Sequence, residues 1–100
     1  MSALKLLKSL PSGKYRMLKL KDRTRKQQQS IIPDGAHFIG FMHLYYLENT
    51  ESRVMPVVYL ENEREFMATS SILRAKQVAP GRVVLLTRNS LYLLTKEGES

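Results

Sequence analysis

The chain reads as mostly all-β: a small antiparallel barrel or curled sheet of five or six strands behind a short N-terminal helix. Three observations predict this. Apolar residues after Gly13 fall into short β-prone runs, turn signals separate those runs, and 100 residues at 43% hydrophobic composition suffice for one modest core. A single domain spanning residues 1–100 is therefore expected.

Residues 1–10 carry Ala3, Leu6, Leu7 and Leu10 at i, i+3, i+4 and i+7, with Ser2 to cap the start and Pro11 and Gly13 to end the run. A helix this short is marginal alone in water, so its leucine stripe should dock on the rest of the domain. Lys5 and Lys8 flank the stripe as they would in a membrane-surface anchor, but the stripe is short and lacks a large aromatic residue.

Lys14 to Lys21 forms the first strand, with a bulge between Met17 and Leu18 to bring Tyr15, Met17, Leu18 and Leu20 to one face. Asp22 to Ala36 is polar, basic and glutamine-rich, which predicts a mobile loop closing on the Pro33-Asp34-Gly35 turn. His37 to Leu47 is a long aromatic strand in which Gly40 marks a bend. Val54 to Leu60 and Arg64 to Ala68 flank a hairpin loop at Glu61-Asn62-Glu63, with Asn62 in a left-handed conformation. Pro56 cannot donate to a ladder, so its strand starts late or lies at an edge. Thr69 to Ala79 lacks regular periodicity, and Pro80-Gly81 suits the centre of a type II turn.

The last hairpin, VVLLTRNSLYLL, turns at Arg88-Asn89 and pairs Thr87 with Ser90, Leu86 with Leu91, Leu85 with Tyr92 and Val84 with Leu93. Both of its faces are apolar, so it needs cover on two sides. Leu85 and Tyr92 thus have two open readings: the core of the domain, or an interface in a homodimer.

Catalysis finds little support. His37 and His43 share a face of one strand about 20 Å apart at ~3.3 Å per residue, too far to bind one metal. Ser70 and Ser71 have neither a nearby histidine with an acidic partner nor a glycine elbow. Glu61, Glu63 and Glu65 read as a solvated loop without the apolar pocket that would raise one carboxyl pKa. With no cysteine and no glycine-rich phosphate loop, disulfides, thiolate metal sites and that class of nucleotide site are excluded, and no cofactor or metal is expected. A cytoplasmic, soluble and unprocessed protein is the expectation, since no apolar run is long enough to span a bilayer and no signal-peptide pattern opens the chain.

Charge is the located feature. Residues 1–34 hold nine Lys and Arg against two acids, an excess equal to the whole net charge of +7, while the remainder carries seven of each sign. Arg16, Lys19, Lys21, Arg23, Arg25 and Lys26 lie along the first strand and the loop after it, a pattern suited to phosphate backbones that bind by releasing counterions. Tyr15, Phe41, Tyr45 and Tyr46 are candidate stacking surfaces for bases. The expectation is a non-catalytic domain that binds DNA or RNA. The alternative is a protein-interaction module, a regulator or assembly adaptor, that uses the C-terminal hairpin or an edge strand and matches an acidic protein surface with the basic loop.

Overall fold

A computed structural model describes residues 3–22, 35–46 and 56–97. Among these residues one helix, α1 (Ala3–Lys8), precedes seven strands: β1 (Lys14–Asp22), β2 (His37–Tyr45), β3 (Val57–Glu61), β4 (Phe66–Ala68), β5 (Ile72–Ala79), β6 (Arg82–Thr87) and β7 (Ser90–Lys96). They form one antiparallel sheet in the order β4-β3-β2-β1-β7-β6-β5. The fold is all-β with a short N-terminal helix, as expected, but with seven strands in place of five or six.

The additional strand is β5, in the stretch expected to be irregular. Its register shifts twice against β6, between Ile72 and Arg74 and between Gln77 and Ala79. Leu73 and Val78 are the extra residues, and both are exposed. Each bulge resets the face on which side chains fall, so the period of two that betrays a strand is broken at both ends.

The sheet is curled but not closed. β4 and β5 are its opposite edges, six strand spacings apart, which is about 29 Å in a flat sheet. Yet Ala68 and Ile72 are four residues apart in the chain, and four residues span at most about 14 Å. The sheet must therefore roll until its edges approach. The Ile72 amide donates to the Pro56 carbonyl at 2.8 Å and the Arg88 amide to the Ser71 carbonyl at 2.9 Å, tying the connecting segment to both sides of the roll.

Inside the roll lies one core: Leu6 and Leu7 from α1 with Tyr15, Met17, Val58, Leu60, Met67, Ile72, Val83, Leu85, Tyr92 and Leu94. The helix docks through its leucine stripe beside β5, where Leu7 is almost fully buried. Leu85 and Tyr92 thus belong to the core of a single chain. Their hairpin has the expected register, with Leu86 opposite Leu91, Leu85 opposite Tyr92 and Val84 opposite Leu93. The Thr87 hydroxyl accepts from the Ser90 amide at 3.0 Å and donates to the Ser90 carbonyl at 2.8 Å, which closes the turn.

Three local expectations are corrected. The bulge in β1 lies at Leu20, between Lys19 and Lys21, rather than after Met17. Leu18 accordingly faces outward beside Leu93. Asn62 does not adopt a positive φ; its side-chain oxygen accepts from the Arg64 and Glu65 amides at 2.9 and 3.1 Å, so an Asx turn replaces the left-handed residue. β4 begins at Phe66, two residues later than expected, because that turn extends through Glu65.

Gly40 is the joint between β2 and β3. A β-carbon there would meet the Glu61 backbone at 2.7–2.9 Å, so only glycine permits this approach. Gly81, with φ of 76°, fills the turn position for which Pro80-Gly81 was singled out.

Candidate nucleic-acid interface

Antiparallel partners share a face, so the pairing register states which side chains lie together on the outside of the roll. Three rows run across the sheet from β1, two of them to β5 and the third to β6. The first runs Lys21, Leu91, Leu86, Arg74; the second Leu18, Leu93, Val84, Lys76; the third Arg16, Thr95, Arg82. Cations close both ends of the first and third rows and one end of the second. An aliphatic stripe of half-buried Leu18, Val84, Leu86, Leu91 and Leu93 runs between two columns of positive charge. At ~4.8 Å per strand the columns stand roughly 10 to 14 Å apart.

Of the six cations singled out in the sequence, Arg16 and Lys21 stand on this outer face. The Arg16 Nε lies 3.2 Å from a Glu97 carboxylate oxygen without hydrogen-bond alignment, and a pair this exposed contributes little to stability. Lys19 is a correction. Strand alternation puts it on the inner face with Tyr15 and Met17, opposite Tyr92, and its side chain is 1% exposed. It cannot meet a phosphate without leaving the core. Arg23, Arg25 and Lys26 lie outside the described residues, as does most of the loop assigned to residues 22–36.

The stacking candidates divide likewise. Tyr15 is core: its hydroxyl donates to the Pro11 carbonyl at 2.7 Å, and burial raises its pKa. Phe41 and Tyr45 stand on the outer face at 54% and 61% exposure. Lys14 Nζ lies 5.6 Å from the Phe41 ring centroid, and Lys8 Nζ lies 5.0 Å from that of half-buried Tyr46.

Reasoning from sequence missed Arg74, Lys76 and Arg82. A balanced charge count for residues 35–100 concealed them, because the acids lie elsewhere: from Phe66 to Lys96 the chain contains no Asp or Glu. That acid-free run was the available signal. Also unanticipated is an aromatic cluster on β2–β4, where His43 stacks on Tyr59 at 4.7 Å and Tyr59 meets Phe66 edge to face at 6.1 Å.

The remaining candidates have structural roles. The Ser70 hydroxyl accepts from the Asn89 amide at 3.2 Å, and His43 Nε2 lies 3.1 Å from a Glu61 oxygen. His37 and His43 share the outer face of β2, six residues apart. Among the described residues no three of His, Asp and Glu gather as a metal site would require, and no helix is long and apolar enough to cross a membrane. No protein-family model matches the chain, and no curated protein or solved structure is significantly similar to it.

Proposed function

We propose that the chain is a non-catalytic nucleic-acid-binding domain, acting in the cytoplasm, that meets the phosphate backbone with the outer face of β1, β7, β6 and β5. The observation that carries this reading is the paired columns, Arg16 and Lys21 on one side and Arg74, Lys76 and Arg82 on the other. Cations so arranged displace condensed counterions from a polyanion, and the aliphatic stripe between them offers packing to sugars and base edges. Phe41 and Tyr45, on the neighbouring strand, extend the same face with rings on which bases can stack.

A second reading, an adaptor for an acidic protein surface, is favoured by the half-buried aliphatic stripe on the hairpin's outer side. Charged columns around an apolar centre also suit a protein partner.

Titration with single- and double-stranded oligonucleotides at two salt concentrations tests the proposal. Replacing Lys21, Arg74 and Lys76 together by Ala should lower the slope of log affinity against log salt by about two to three. Thermal stability should change little, because all three are exposed. A variant with the parent's affinity and slope rejects the proposal.

A further inference from the structure

Among the described residues a lysine ammonium lies over an aromatic ring at three sites: Lys8 on Tyr46, Lys14 on Phe41 and Lys96 on Tyr15, at 5.0 to 5.6 Å. A fourth pair of rings, half-buried Tyr59 and exposed Phe66, differs from these. Tyr59 and Phe66 stand nearly perpendicular, at an interplanar angle of 72°, and with Glu61 they line a shallow cleft of about 280 Å³. Among the described residues no lysine or arginine lies over either ring. Phe66 is 67% exposed, on a three-residue edge strand where the inward-facing Met67 supplies the packing. Its ring is therefore not needed to bury the core.

Two rings meeting at a corner beside a carboxylate provide what a weakly hydrated organic cation requires: quadrupole attraction from the rings and a counter-charge at the rim. Glu61 faces Phe66 directly across the β3–β4 ladder, so its carboxylate borders the corner. A polyanion fits poorly here, because Glu63 and Glu65 add negative charge at the adjoining turn, opposed within it only by Arg64. We propose that the Tyr59–Glu61–Phe66 corner is a binding site for an organic cation, a quaternary ammonium group or an arginine guanidinium, on the opposite wing of the sheet from the two columns of basic residues.

The test is a nuclear magnetic resonance titration of the whole chain with tetramethylammonium chloride and with N-acetyl-arginine amide, using ammonium chloride at equal ionic strength as the control. Tyr59 and Phe66 ring resonances should shift saturably with one or both organic cations and not with ammonium. The responding cation separates a methylated-ammonium site from a guanidinium site. Phe66→Ala, which removes an exposed ring, should keep the parent's melting temperature and weaken binding about two- to fivefold, the worth of an exposed cation–π contact. Glu61→Gln should weaken it again while leaving both rings in place, and serves as the deciding variant if Phe66→Ala alters the fold. Shifts no larger than those from ammonium chloride, unchanged affinity in both variants, or ring shifts produced by an oligonucleotide and not by the cations would overturn the proposal.

Discussion

The sheet has two wings that share one interior and differ on the outside. On β4, β3 and β2 the outward residues are mainly aromatic, with Tyr59, Phe66, Phe41, His43 and Tyr45, and the acids Glu61, Glu63 and Glu65 cluster at the β3–β4 turn. On β1, β7, β6 and β5 they are aliphatic and basic, and Glu97, just past β7, is the one acid with a described side chain that borders this wing. Inward, both wings present the same kind of surface, Val58, Leu60 and Met67 on one and Met17, Val83, Leu85 and Leu94 on the other. The inner face is set by burial, which asks only for apolar volume, whereas the outer face is free to differentiate. A net charge of +7 therefore describes neither wing: the positive potential belongs to one and the aromatic corner to the other.

The largest effects should come from the interior that the wings share. Leu60→Glu and Leu85→Glu each bury an unpaired carboxylate at a fully buried position, one in each wing, and each should cost several kcal/mol and unfold the whole domain. Circular dichroism and chemical denaturation report this. If one variant kept a native spectrum, its wing would not depend on the common core.

A smaller effect is expected beside the junction of the wings, where β2 meets β3. Gly40 on β2 lies opposite Tyr15 on β1, and its missing side chain lets β2 approach the Glu61 backbone. Gly40→Ala should destabilise by about 1 to 3 kcal/mol, as overpacking does, because the atoms it meets are backbone and cannot step aside. A melting temperature equal to the parent's would show that this approach is looser than the geometry indicates.

The smallest of the three concerns the residue opposite Gly40. Tyr15→Phe removes the hydroxyl that donates to the Pro11 carbonyl and should cost about 1 kcal/mol at neutral pH. Burial raises the Tyr15 pKa above the ordinary value of 10.0, so the folded state retains this proton where the unfolded chain has begun to lose it. The associated stability is fully present below pH 10 and is lost as pH rises through the ordinary value and above it. The parent should therefore lose more stability than Tyr15→Phe between pH 9 and 11. Parallel stability curves for the two proteins would mean that the phenol is not held neutral by the fold.

Local chemistry was enough to determine a good part of this protein. The period-two runs, the Arg88-Asn89 turn and the leucine spacing of α1 each act over a few residues, so the class, the short helix and the register of the last hairpin were legible without tertiary information. The basic character of β1 was legible too, through Arg16 and Lys21. What lay beyond the sequence depends on strand order and face. Lys19 and Tyr15 alternate inward with Met17 because the β1 bulge falls at Leu20, and no local rule locates a bulge whose cause is pairing with β7. β5 was hidden by two such bulges. Arg74, Lys76 and Arg82 join Arg16 and Lys21 on one face only because β7 pairs with β1 and carries β6 and β5 beside it, a juxtaposition of residues more than fifty positions apart. Alternation states that a side chain has a face, but only the packed sheet decides which face it is and what stands beside it.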